Sequence, residues 1–378
     1  MGAQLEDEAA GAPSTSTGDI PIELEPTRRS DGYIPPEDPS RTNVEAGDYS
    51  RMSSGSRISL VTIAIMLVIF VALSPRPFFT SLFVLLSLLP AFPIIHFVRT
   101  KFDDKSIGWT YLLNQLLLGA IPLVLFTIIA EWLLTFGIGF LIFEKELREV
   151  EIAIDTPPTV DEDGKRHDLL ANVLEHVALW KMILFFLLIA FVTAGFIEEV
   201  AKWMLARRYR KVDQENAELD ADSGARIGCK GILAIACMGA LGFAACENMG
   251  YILVSALSIR KGFSFRLVGI TLLRGLLAYP LHIGTQFFVA VSAAQWYVFK
   301  DKSNVMLALF VAVLFHGTFD GVALLGMLLI GGNIIPFWVG YLIPVFDFML
   351  VGLLLLLCRS RYKALLVRES LVLASEPV

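Results

Sequence analysis

Nine consecutive residues, Gly195-Phe196-Ile197-Glu198-Glu199-Val200-Ala201-Lys202-Trp203, carry two adjacent carboxylates and an ammonium group. They close an apolar run that begins near Val177. A bilayer core penalises such charges by roughly 2.5–3.5 kcal/mol each at a helix centre. They persist there only if they face partners, a cavity or a substrate. Later apolar runs supply candidates: Glu247 and Asn248, then Arg274 and His282, then His316 and Asp320, then Asp347. Glutamate and histidine are the side chains that activate water. A carboxylate takes its proton, and imidazoles hold a divalent metal such as zinc or hydrogen-bond a developing oxyanion.

Spacing sharpens this reading. Glu198 and Lys202 stand four apart, so they share a helix face and can pair. Glu199 points about 100° away at 3.6 residues per turn. His316 and Asp320 are also four apart, the geometry in which a carboxylate fixes an imidazole tautomer while the other ring nitrogen faces a ligand. Glu247 and Tyr251 repeat the spacing. Pro280 should kink its helix just before His282. Gly239, Gly242 and Gly250 should let their helix approach its neighbours closely. Taken singly, each histidine reads almost as readily as a packing residue. Lys181, Glu131 and Asp347 read as interfacial or structural, and Lys202 as a charge partner.

These groups need elements to hold them. The chain has 378 residues, 55% hydrophobic and 18% charged, with mean hydropathy +0.65. That is too apolar for a soluble domain of this length. Its apolar runs are continuous rather than alternating, which excludes a transmembrane β-barrel. The expected fold is all-α: a polytopic transmembrane helical bundle of about eight spans behind a disordered tail. Residues 1–56 form that tail, with eleven acids against four bases and few large apolar side chains. Residues 57–143 hold the N-terminal helices, 144–176 a polar loop, 177–358 the core with the site, and 359–378 a cytosolic C-terminal tail. Ile107–Phe143 reads as one tilted helix, or as a helix plus a short re-entrant piece. The net charge of −6 belongs to the tail, so no nucleic-acid partner is expected. Four cysteines in or beside apolar runs show no metal-binding spacing and read as packing residues.

Lys and Arg set the sidedness. With eight spans and a cytosolic N-terminus, 17 bases flank the cytosolic side against 8 opposite. Both termini are expected in the cytosol, with Glu198 nearer the cytosolic end of its helix.

Four ordered motifs then stand out: Glu198-Glu199-x-x-Lys202, Phe243-x-x-x-Glu247-Asn248-x-x-Tyr251, Arg274 with Pro280-Leu281-His282, and His316-x-x-x-Asp320. Over about residues 177–325 the chain resembles the PrsW family of intramembrane proteases, within the group that contains type II CAAX prenyl proteases. Lys202 stands where the prenyl proteases have Arg, and Ala278 where they have Phe, which favours the PrsW branch. The resemblance implies Glu198 as catalytic base and Glu199 as its supporting carboxylate. It makes His282 and His316 metal ligands or oxyanion-stabilising groups, and gives Asp320 the place after the second histidine. Glu247 and Asn248 are further site residues. The implied metal set is His282, His316 and Glu247, holding zinc or another divalent ion; a metal-free glutamate mechanism is the alternative.

The function expected is therefore an intramembrane endopeptidase, with the lipid bilayer and a membrane-protein or peptide substrate as partners. Two rivals are a multi-pass ion or proton transporter using the same groups, and a catalytically silent membrane scaffold. No internal repeat supports the transporter, and the intact Glu/His/His/Asp set weighs against the scaffold.

Overall fold

A computed structural model describes residues 54–73, 77–102, 107–155, 159–160, 166–167, 177–211, 227–258, 265–300 and 304–375. The expected N-terminal tail lies outside them up to residue 53, and Ser54–Ser56 already belong to the first helix.

The elements, in chain order, are α1 (Ser54–Leu73), α2 (Pro77–Leu88), α3 (Ala91–Lys101), α4 (Trp109–Leu118), α5 (Val124–Asp155), α6 (Leu179–Leu188), α7 (Glu198–Ala206), α8 (Cys229–Ser258), α9 (Phe265–Leu273), α10 (Tyr279–Val298), α11 (Val305–Gly331) and α12 (Leu342–Ser375). A two-residue antiparallel pair, Thr159–Val160 with Arg166–His167, lies between α5 and α6. Among the described residues, seven helical stretches are long and apolar enough to cross a bilayer, and the apolar part of α1 is shorter. The chain is an integral multi-pass membrane protein.

Pro122 does not split Ile107–Phe143 into two crossings. A wide π turn, Gly119–Leu123, takes up the proline, and α4 and α5 continue as one stretch from Trp109 to Val150. Two further differences concern helix ends. Helix α5 is kinked at Phe143 (φ −110°, ψ 20°), the expected end of the apolar span, and helix continues past the kink to Asp155; α12 runs to Ser375 through the expected tail. Charged residues spaced along a helical face continue a helix beyond its apolar part, as the ion pair of Arg148 with Glu144 at 2.8 Å does on α5.

Helix α8 is the centre of the bundle. Of its most apolar window 83% is buried, against 22–39% for every other span except the α10 span, at 78%. Its small residues explain this. A Cβ on Gly242 would collide with the Leu116 carbonyl, and one on Gly119 with the Gly239 carbonyl, so α4 and α8 touch backbone to backbone. Gly250, expected to do the same, faces nothing within 4 Å. The outer helices present Trp132, Phe136 and Leu141 outward, the surface a lipid solvent accepts.

Two more π turns sit directly before functional side chains. Ile189–Ile197 ends at Glu198, with Thr193 Oγ1 donating to the Ile189 carbonyl at 2.5 Å. Arg274–Ala278 precedes Tyr279-Pro280 and so re-aims His282, as the proline predicts.

Candidate active site

The carboxylate pair is delivered by the π turn and held by α11. A Cβ on Gly195 would lie 3.1 Å from the Val313 carbonyl and 3.2 Å from the Gly317 amide nitrogen. A Cβ on Gly317 would press into the Phe191 ring at 2.5 Å. With glycine at both places the two backbones close up, and His316 arrives beside Glu198 and Glu199.

Glu199 is fully buried and engaged at both oxygens. It accepts from Lys202 Nζ at 2.5 Å, Thr285 Oγ1 at 3.1 Å, Gln286 Nε2 at 2.8 Å and His316 Nδ1 at 2.8 Å. This revises the expected pairing. Lys202 binds Glu199, three residues back, and stays 3.8 Å from Glu198. Positions three and four apart are both helical neighbours, and Thr285, Gln286 and His316 draw the Glu199 carboxylate to the lysine's side.

Glu198 is also buried, but its Oε2 has no hydrogen-bond donor. That oxygen lies 3.6 Å from His316 Nε2 and 3.8 Å from His282 Nδ1. The two imidazoles stand edge to face, with centroids 4.9 Å apart. For His316, Glu199 rather than Asp320 takes Nδ1. Asp320 Oδ2 sits 3.3 Å from Nε2, on the same side as Glu198. The ligand-facing nitrogen of His316 is therefore Nε2. For His282, the Lys202 ammonium is 2.9 Å from Nδ1. An ammonium only donates, so Nδ1 accepts and the N–H is on Nε2, facing Glu247 Oε2 at 2.8 Å.

Glu247 also pairs with Arg274 Nη2 at 2.8 Å. Neither N–H is aligned on Glu247 Oε2, so charge rather than directed hydrogen bonding holds it. Arg274 is fixed by Asn248, whose Oδ1 accepts from Nε at 2.7 Å, and it stacks 3.7 Å from the Tyr251 ring centroid. The expected Glu247 and Tyr251 partnership is thus mediated by Arg274 between them. All seven candidate residues come together, carried by α7, α8, α10 and α11.

Sequence reasoning passed over Thr285 and Gln286, which lie one turn beyond His282 and hold Glu199 from α10. The only signal was their spacing from His282 on the same face. It also set aside Glu131, whose carboxyl group is near enough to Glu198 to interact with it. Lys181, read as structural, pairs with Glu146 at 2.6 Å and straps α6 to α5. Asp347 is buried on α12, with no hydrogen-bond partner for its Oδ1.

Three groups could hold a metal. Glu198, His282 and His316 offer ligand atoms within 4.8 Å of one another. Tetrahedral zinc with bonds of about 2.0–2.1 Å needs its ligand atoms roughly 3.4 Å apart, and the Glu198 distances are within a few tenths of that. A two-histidine, one-carboxylate donor set also matches a catalytic zinc site, so the residues fit. Lys202 must move off His282 Nδ1 for that nitrogen to bind a cation. Glu247 is not in this group; it stands on the far nitrogen of His282.

Residues 167–352 match the family model described as PrsW family intramembrane metalloprotease. This membrane core belongs to the PrsW family. The match is wider than the stretch 177–325 that the four motifs mark, and it includes all seven candidate residues. No curated protein and no solved structure matches the chain. PrsW proteins are proteases, which puts hydrolysis of a peptide bond foremost among the reactions this buried Glu/His site could carry out.

Proposed function

We propose that this PrsW-family chain is an endopeptidase that hydrolyses peptide bonds of membrane-protein substrates. The observation that carries the reading is the buried, donorless Glu198 Oε2 between two imidazoles. Glu198 is the base. It takes a proton from water as the oxygen attacks the scissile carbonyl, then gives that proton to the leaving nitrogen as the C–N bond breaks. Glu199 positions His316 and Lys202 and does not itself react. Both of its oxygens are engaged by protein donors, three on Oε1 and one on Oε2. The His316 ring, oriented by Glu199 at Nδ1, turns Nε2 toward the oxygen of the tetrahedral intermediate. Glu247, braced by Arg274 and Asn248, orients His282.

A divalent metal, zinc for example, held by His282, His316 and a carboxylate would polarise the carbonyl and acidify the water. Access is from the side of Asp320, Glu247 and Arg274, whose side chains keep 16–24% exposure against 6% or less for Glu198, Glu199, Lys202 and the histidines. With both termini cytosolic, that side faces away from the cytosol, because Arg274 begins a span that runs inward and Asp320 lies beyond His316 on a span that runs outward.

The test is cleavage of dye-quenched casein, and of reporter proteins with one transmembrane helix, by full-length protein in proteoliposomes. Wild type should cleave, and Glu198→Ala and His316→Ala should lose about a hundredfold or more. Equal cleavage by either variant and wild type would sink the assignment. Ion flux lost in both variants without any cleavage would favour a transporter.

A further inference from the structure

The protease reading leaves out one acidic side chain of the site. Glu131 is on α5, outside the matched region, in a span the sequence would place against lipid. Three contacts give α5 and the following span a single antiparallel register. Lys181 pairs with Glu146 at 2.6 Å, the Phe143 and Phe185 rings stand 5.2 Å apart, and a Cβ on Gly139 would meet the Phe185 ring at 3.5 Å. Glu131 stands 15 residues before Glu146, and Glu198 stands 17 residues after Lys181. At 1.5 Å per residue both lie roughly 22–26 Å along the chain from the strap, a comparable depth, with the Phe143 kink on one path and the π turn Ile189–Ile197 on the other. The two carboxyl groups are near enough to interact.

Each keeps one oxygen in reserve. Glu131 Oε1 and Glu198 Oε2 are both buried, and neither has a hydrogen-bond donor. A buried acceptor without a donor costs about 1–3 kcal/mol. The protein retains two of them on neighbouring side chains, beside two imidazoles. One water molecule has two O–H bonds to donate, which matches two adjacent acceptors.

We infer that Glu131 is a further catalytic residue, whose free oxygen and that of Glu198 hold the attacking water between them. This rests on the protease reading. The water oxygen forms the new bond to the carbonyl carbon. One water proton goes to Glu198 and on to the leaving nitrogen, and the C–N bond breaks. The other O–H stays hydrogen-bonded to Glu131 and ends in the product carboxyl group. The N-terminal helices then complete the reaction centre as well as surrounding it.

The experiment compares full-length wild type, Glu131→Gln, Glu131→Asp and Glu198→Ala on dye-quenched casein in proteoliposomes. Apparent Tm and bound metal are measured on the same preparations. Glu131→Gln should lower kcat roughly a hundredfold, the lower end of what a positioned acid–base group contributes. KM should stay within about twofold, because the lost contact is to the attacking water and not to the substrate. Tm should stay at or above wild type, and metal content should be unchanged. Glu131→Asp, one methylene short, should recover part of kcat. Wild-type kcat in Glu131→Gln, with Glu198→Ala inactive, overturns the inference and leaves the protease reading intact. Loss of activity that follows a fall in Tm makes Glu131 structural and also overturns it. An inert wild type overturns the protease reading and the catalytic role of Glu131 with it.

Discussion

Two adjacent glutamates should respond to the same substitution in opposite ways. Glu199→Ala removes the acceptor shared by Lys202, Thr285, Gln286 and His316. The Lys202 side chain is fully buried and would be left with the longer 3.8 Å ion pair to Glu198 and the neutral His282 Nδ1. Breaking a buried ion pair by removing one partner costs about 3–5 kcal/mol. The Thr285 hydroxyl keeps the His282 carbonyl and the Gln286 amide keeps the Glu199 backbone carbonyl, so they add little. For a chain of this size the loss should lower the apparent Tm by on the order of 10 °C. Glu198→Ala instead removes a carboxylate whose Oε2 has no donor, relieving a desolvation cost. Its Tm should match or exceed wild type, while cleavage disappears. Thermal unfolding of detergent-solubilised protein followed by size-exclusion, with casein cleavage on the same samples, reads both quantities. If Glu198→Ala loses as much Tm as Glu199→Ala, the division into one reacting and one positioning carboxylate is wrong.

The remaining expectations concern the metal, the arginine and the packing. Elemental analysis of purified protein should find a divalent metal lost in His282→Ala and His316→Ala but kept in Glu247→Gln; loss in Glu247→Gln would restore Glu247 as the third ligand. Arg274→Gln leaves Glu247 beside His282 without its counter-charge and should cost about 3 kcal/mol, read as a lower Tm. Gly242→Val forces a Cβ into the Leu116 carbonyl and should prevent α4 and α8 from closing, so that folded protein is not recovered, whereas Gly250→Val, in open space, should leave Tm within about 1 °C of wild type.

Much of the site could be read from the order of types along the chain. A carboxylate or imidazole inside an apolar run is costly enough to need a reason, so Glu198, Glu199, Glu247, His282, His316 and Asp320 identified themselves without any contact information. Their family motifs then put them on successive spans. The same logic failed for Glu131, because one glutamate in a long span looks like an interfacial residue until the partner helix is known. It read Lys202 as a charge partner of Glu198, which holds at 3.8 Å, but missed its closer bond to Glu199, because helical spacing offers two neighbours and Thr285, Gln286 and His316, on other helices, choose between them. The helical stretches that continue past the apolar runs, beyond the Phe143 kink to Asp155 and along α12 to Ser375, were not legible for a further reason. Hydropathy marks where apolar character stops, while backbone hydrogen bonding continues as long as the sequence tolerates it.

The amino-acid sequence by itself determined that this is a helical membrane protein with a polar, acid- and imidazole-bearing core. Burial cost acts residue by residue and is written in composition and order. The tertiary structure alone decided which carboxylate is engaged at both oxygens and which is not, which nitrogen of each histidine faces the reaction, and that α5 brings a further carboxyl group to Glu198. Those outcomes depend on distances between helices far apart in the chain. They are set by where glycines such as Gly195, Gly242 and Gly317 allow two backbones to meet.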